Sequence, residues 1–468
     1  MSRIATTAVL ILALLQSFSL SPGLAQSPTS DRAQTLVRSA TEGLGTESSL
    51  APFLLLSLLS SHMPTADSGS NASPVNIQFI NGQWFNGERF VARSFYSVNG
   101  MLSSKKPTRV DSVIDLKGHY VMPPFGEAHN HNLDGGDTDK KIAMYLEDGI
   151  FYVKNPNNLP RARTALEGRI NIPTSVDVIF ANGGLTSTGG HPIGLVRRNV
   201  SRGIFTEADA ADGKFYYAIN DELDLYRKWN AILEGKPDFI KTYLLYSEEY
   251  AKRKNDEAFF SQRGLDPALL PKIVKKAHAA GLRVSTHIES ATDFHNALVA
   301  GVDEINHMPG FQGDAKHEFP DPKIYEITEA DAKLAARRGT FVVTTLGGVR
   351  QIPEKSPLRQ QAEVLFARNL QLLKKHKVRI AIGSDSYRET SAPEAAYIYS
   401  LKVFDNLTLL KMWCETTAAT IFPKRKIGHL QDGYEANFLV LTSNPLQDFS
   451  NTKKIEMRVK QGELLSLK

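Results

Sequence analysis

The stretch Val121-Met-Pro-Pro-Phe-Gly-Glu-Ala-His-Asn-His131 decides how this chain is read. Its apolar run reads as a buried strand that stops at two histidines one residue apart. Side chains alternate faces along a strand, so His129 and His131 point one way and Asn130 the other. Two imidazoles on one face, at a strand end, can share one divalent metal. The pair alone is a weak signal, because ordinary core and surface histidines also fall at this spacing. Its weight comes from the residues that follow.

From about Pro123 to Pro423 strand patterns alternate with helical ones. The strands are Gly149–Val153, Val176–Phe180, Phe239–Leu245, Arg283–Ile288, Glu304–His307, Thr340–Leu346 and Arg379–Asp385. Between them lie helical patterns such as Pro267–Ala280, which Gly281 ends. With the strand before His129 there are eight strands, and eight strand-helix units fit a closed parallel barrel better than an open sheet. On either side the period changes. Short strands from Val75 onward are punctuated by Asn81-Gly82, Asn86-Gly87 and Asn99-Gly100, which read as turns. Short strands return at Asn437–Thr442 and Ile455–Lys460. The expected architecture is α/β: a (β/α)8 TIM-like barrel over residues 123–423, with a small β-sandwich domain built from residues 75–122 and 424–468.

The N-terminus carries a different signal. Arg3 gives a positive start, Ala5–Leu15 an apolar run, and Gly23-Leu-Ala25 small residues suited to cleavage. Residues 1–25 are expected to be a signal peptide and residues 26–74 a flexible arm, placing the mature protein in the periplasm or outside the cell. The apolar segment Leu50–Leu59 holds a proline and is too short to span a bilayer. No stable membrane span is therefore expected after cleavage. With 55 basic and 50 acidic residues and no basic block, nucleic-acid binding has little support. Cys414 is the single cysteine, so no intramolecular disulfide can form, and its helical setting suits a small buried side chain.

Parallel barrels place their chemistry at the C-terminal ends of their strands. At those positions stand His129 and His131, Lys241, His287, His307 and Asp385. The chain has 12 histidines, and four at such positions is more than chance placement gives. By residue type alone Lys241 reads as a barrel lysine ion-paired with Asp385 beside one metal. The loop Gly183–Pro192 reads as flexible and able to reach the site. Its His191 either donates to a substrate carbonyl or makes a structural hydrogen bond. Tyr243 shares the inward face of Lys241 and is either an oxyanion donor or barrel packing, whereas Tyr246 falls off that face.

On His129-Asn-His131, Asp238-Phe-Ile-Lys241, Ser285-Thr-His287, Asp303-Glu-Ile-Asn-His307 and Gly383-Ser-Asp385 the chain resembles the amidohydrolase superfamily. The likeness covers nearly all of the chain after the arm, and Ile427–Val440 resembles that family's return to its β-domain. It points to the binuclear, dipeptidase- or imidazolonepropionase-like branch. That branch implies His129, His131 and Asp385 around one divalent ion, most simply Zn2+, and His287 and His307 around a second. A CO2-derived carbamate on Lys241 would bridge the two, since a neutral amine is a poor bridge and a carbamate is an anion with two oxygens. Two such ions lower the pKa of a shared water and polarise a carbonyl, with Asp385 as proton acceptor. The implied activity is metal-dependent hydrolysis of an amide-type C–N bond in a small molecule: a dipeptide, an N-acyl amino acid or a cyclic amide. Some dipeptidase-like relatives carry a similar Gly-Gly-His. An esterase or phosphoesterase on the same site, and a metal-holding envelope binding protein, are the alternatives. A homo-oligomer is compatible with all three. Lys154, Arg197, Arg198 and Arg202 are candidate cations for a substrate carboxylate.

Overall fold

Five short strands lead into the structure, a computed structural model that describes residues 75–134, 136–310 and 321–466. The expected signal peptide and arm, with Leu50–Leu59, lie outside those residues. Strand β1 (Ile77–Phe85) pairs antiparallel with β2 (Phe90–Val98), which pairs with β3 (Met101–Ser103). Strands β4 (Ser112–Asp115) and β5 (Tyr120–Met122) run parallel to β1. Asn99 and Gly100 turn the chain between β2 and β3, both at positive φ as a tight hairpin requires. Asn81-Gly82, expected to do the same, does not. Strand β1 runs through it with a register shift between Phe79 and Gly82. The extra residue of this bulge returns Phe79 and Trp84 to one buried face, 0% and 1% exposed, which strict alternation would have split.

The middle of the chain is parallel throughout. Strands β6 (Phe125–Glu127), β7 (Ile150–Asn155) and β8 (Asp177–Phe180) form one sheet. The second holds β9 (Gly184–Thr186), β10 (Tyr216–Ala218), β11 (Ile240–Tyr243), β12 (Val284–His287), β13 (Glu304–Asn306), β14 (Phe341–Val343) and β15 (Arg379–Ala381). Their order is β10-β9-β11-β12-β13-β14-β15. Backbone bonds join the sheets on both sides: Asp238 N–H donates to Phe180 O at 2.8 Å, and Ala128 N–H donates to Ile382 O at 2.9 Å. All six residues of β7 are buried, as parallel strands covered on both faces should be. Helices such as Leu270–Ala279 and Ala291–Ala300 pack outside, the latter opened by a Ser290–Asp293 capping box and closed by Gly301 at φ 86°. The strands are shorter than the sequence patterns, as at Ile240–Tyr243 against Phe239–Leu245 and Arg379–Ala381 against Arg379–Asp385. The glycine loop also differs from expectation, since part of it is strand β9. Gly184 lies so close to Tyr243 that a Cβ there would sit 2.5 Å from the ring.

The C-terminal strands β16 (Phe438–Leu441), β17 (Ile455–Lys460) and β18 (Glu463–Leu464) come back to the start of the chain. Strand β16 pairs antiparallel with β5 on one side and β17 on the other, so strands from both ends share one eight-stranded sheet. Phe438 seals the joint, with its ring 4.9 Å from Phe79 and 5.2 Å from Trp84. Cys414 is buried, as its helical setting suggests. Among the described residues no helix is long and apolar enough to cross a membrane.

Candidate metal centre

The predicted strand-end residues meet. His129 and His131 follow β6, Lys241 lies in β11, His287 ends β12, His307 follows β13, and Asp385 comes just after β15. All six line one cavity of about 570 Å³. The ligand atoms of His129, His307 and Asp385 lie within 4.8 Å of one another. Asp385 Oδ1 is 3.4 Å from His129 Nε2 and 3.1 Å from His131 Nε2, so the two histidines do face the same way. The His287 and His307 rings are 4.5 Å apart, and the His307 and His129 rings 4.7 Å.

The backbone bends to achieve this. His307 has φ 80° and Asp385 φ 51°, a left-handed region that costs a residue with a Cβ about 1–3 kcal/mol. Each is held by its own N–H, His307 to Val343 O at 3.0 Å and Asp385 to His129 O at 2.7 Å. Gly383 allows this approach, because a Cβ there would fall 2.8 Å from the His129 nitrogen. Underneath, buried Glu127 ties the two segments together, accepting from His129 N–H at 3.1 Å, Ser384 N–H at 2.9 Å and Ser384 Oγ at 2.8 Å. Burial lifts its carboxyl to about 8 even against those bonds.

Burial also sets the state of the ring nitrogens. It brings His129 down to about 3 and His191 to about 4, and holds His287 and His307 well below the ordinary imidazole value. Neutral imidazoles are the form that ligates metals. At Asp385 burial works upward, but hydrogen bonds from His129 and His131 outweigh it and keep the carboxyl well below its usual range. Burial brings Lys241 down to about 7. Its Nζ donates to Asn306 Oδ1 rather than to Asp385. The His129 Nδ1 is buried with no hydrogen-bond partner. Neutral nitrogens around one anionic carboxylate are a donor set that fits divalent ions of the zinc type.

Residues 120–465 match the Amidohydrolase family. The chain belongs to this family. It is accordingly a hydrolase of carbon–nitrogen bonds, and a metal requirement fits the family. Imidazolonepropionase of Pseudomonas putida (strain GB-1) is 22% identical over 321 residues, covering 61% of this chain and 68% of its own. Among solved structures, a prolidase complexed with N-methylphosphonate-L-proline has 18% identity and a TM-score of 0.63, covering 84% of this chain and all of its own. A Xaa-Pro dipeptidase with bound methionine has 17% identity and a TM-score of 0.65 over the same shares, 84% and 100%. Ochratoxinase of A. niger has 16% identity and a TM-score of 0.65, over 84% and 96%. At these identities the structures speak for the fold, which is TIM-barrel-like α/β.

Around the amidohydrolase centre stand residues of varied legibility. His191 is at the cavity, its ring 4.8 Å from His287 and 5.3 Å from Tyr243. Tyr243 accepts from Asn157 Nδ2 at 2.8 Å, and burial keeps its phenol protonated, so the O–H remains a donor. Tyr246 lies beyond β11 with Arg253 over its ring at 4.0 Å. Of the candidate cations, only Arg198 lines the cavity. Arg197 stacks on Phe260 at 4.1 Å, and Arg202 is exposed. Lys154 does not stand past the strand as expected. It is inside β7, 2% exposed, and ion-paired with Glu304 at 2.6 Å, so it has no charge to offer a substrate. Sequence reading missed Asn157, Asn306 and Tyr387, whose ring stacks on His131 at 5.2 Å. Alternation from Asp385 reaches Tyr387 and was the one available signal; nothing local marks the other two.

Proposed function

We propose that this amidohydrolase cleaves an amide-type C–N bond of a small substrate, a dipeptide, an N-acyl amino acid or a cyclic amide, at a binuclear metal centre. The observation that carries it is the convergence of His129, His307 and Asp385 within 4.8 Å beside buried Lys241. His129, His131 and Asp385 would hold one ion and His287 and His307 the other, with carboxylated Lys241 shared and Zn2+ the metal best matched to these donors. The bound ions would supply a water of lowered pKa and a polarised carbonyl. Asp385 takes the proton of the attacking water on a carboxylate oxygen and returns it to the leaving amine. Tyr243 O–H and a His191 ring N–H face the cavity and donate to the carbonyl oxygen as charge builds there. Arg198 at the cavity wall would hold a substrate carboxylate. The similarity to a prolidase and a Xaa-Pro dipeptidase favours dipeptides among these substrates.

The reading includes a closed (β/α)8 barrel over residues 123–423, supported by the backbone bonds that join the two parallel sheets, and a small β-sandwich from residues 75–122 and 424–468. It also includes export, with residues 1–25 as signal peptide and 26–74 as an arm, and leaves a homo-oligomer open to measurement. The test is turnover on a panel of dipeptides, N-acyl amino acids, hydantoins, esters and phosphoesters, with metal counted in the same preparation. Amide turnover with about two ions per chain is expected. Hydrolysis of esters or phosphoesters alone would move the enzyme to the other bond class. Bound metal without turnover of any compound would favour a binding protein.

A further inference from the structure

A buried polar chain underlies Lys241. Glu304 is 1% exposed, and both its oxygens are engaged. Oε2 accepts from Lys154 Nζ at 2.6 Å and from the Thr420 hydroxyl. Oε1 accepts from Ser285 Oγ at 2.8 Å and from Asn306 Nδ2 at 2.9 Å. A carboxylate paired with a lysine only accepts, so the amide edge turned to it must be the NH2. That fixes the other edge. Asn306 Oδ1 faces Lys241 Nζ at 2.5 Å as an acceptor, and Asn306 is 0% exposed. Ser285 Oγ also lies 2.8 Å from Asn306 Oδ1, but its single hydrogen serves one acceptor at a time. The amide thus presents to Lys241 an acceptor and no donor.

That arrangement distinguishes the chemical forms of the lysine. An ammonium has three N–H bonds to satisfy, a carbamate nitrogen one. We propose that Asn306 is a positioning residue for carboxylated Lys241: its Oδ1 takes the single N–H of the carbamate and turns the two carbamate oxygens toward His129, His287 and His307. The inference rests on the carbamate reading above. In forming the carbamate, the Lys241 nitrogen lone pair attacks the carbon of CO2 and one N–C bond forms. One C=O electron pair moves onto oxygen, and one N–H proton leaves to solvent water. The second N–H stays on nitrogen, and Asn306 holds it. The Lys154–Glu304 pair is what keeps the amide from turning over.

The test uses full-length zinc-loaded protein equilibrated with isotope-labelled bicarbonate, reading the carbamate carbon by NMR as dissolved CO2 is varied. In Asn306→Leu the CO2 concentration for half-maximal carbamate is expected to rise on the order of tenfold, because a buried N–H loses its acceptor. Ser285→Ala removes the other donor beside Oδ1 and keeps the acceptor, so its value is expected to stay within about twofold of wild type. Circular dichroism reports folding, and Asn306→Val carries the same readout if the leucine variant folds poorly. Half-saturation in the Asn306 variants equal to wild type overturns the proposal. Equal losses in the Asn306 and Ser285 variants also overturn it, since they would mark packing rather than an acceptor. A wild-type protein with no carbamate signal removes the carbamate reading itself, and with it this inference.

Discussion

Replacing Lys154 with Met removes one half of an ion pair sealed inside the protein. Lys154 is 2% exposed and Glu304 1%, with 2.6 Å between nitrogen and oxygen. Met has a similar volume and flexible shape, so lost packing contributes little. The cost is a stranded carboxylate, about 3–5 kcal/mol for breaking a buried pair from one side. The pH dependence has a definite sign. In the native protein burial would raise Glu304, but the attraction of Lys154 and Arg283 wins and its carboxyl lies below the ordinary 4.5. Its contribution is therefore present above that value and lost as pH falls through the lowered one. In the variant burial meets less opposition and the carboxyl is raised, so the protonated form is favoured. The penalty then grows with pH by about 1.4 kcal/mol per unit until the raised pKa is passed. Urea unfolding followed by fluorescence of the buried Trp84, Trp229 and Trp413 measures this. Lys154→Met should lose more stability at about pH 8 than at about pH 5, by a few kcal/mol, and adding Glu304→Gln should recover part of it. A loss under about 1 kcal/mol at both pH values would mean that the pair behaves as a solvated one and does not hold the Asn306 amide in place.

Three further outcomes bear on the centre. Lys241→Ala should lose activity and metal together, and acetate or propionate should restore part of both by filling the bridge; a variant that keeps metal and rate would remove the bridge. Asp385→Asn should lower kcat by ~10²–10⁴-fold from lost proton transfer alone. A near-native rate there would send the search for the base to His191. Arg198→Met should raise KM for free-acid dipeptides on the order of tenfold or more and leave their amidated forms unchanged. Equal wild-type rates on the free-acid and amidated versions of one compound would show that no cation is used.

How far the sequence led depended on how local each signal was. His129 and His131 were legible because strand alternation is fixed by the backbone, and both indeed reach Asp385. Lys241, His287, His307 and Asp385 were legible because parallel strands deliver their C-terminal ends to one place. Lys154 misled for the opposite reason. A lysine in an otherwise apolar run shows its charge but not its partner, and Glu304 stands 150 residues away. Asn306 and Asn157 were overlooked because a neutral amide has no pattern of its own; what it does is set by whatever strand lies beside it. Asn81-Gly82 reads the same in a turn and in a bulge, and only the burial of Phe79 and Trp84 on one face decides between them.

The left-handed backbone at His307 and Asp385 has a consequence for how this protein would respond to selection. At both positions the residue that best suits the chain is glycine, and the residues present are histidine and aspartate. A library selected only for folded protein should therefore enrich glycine or asparagine at 307 and 385. Selection for turnover should purge those same variants. Two positions where the two pressures pull in opposite directions would stand out in paired abundance and activity maps, and they would mark the centre without any knowledge of the substrate.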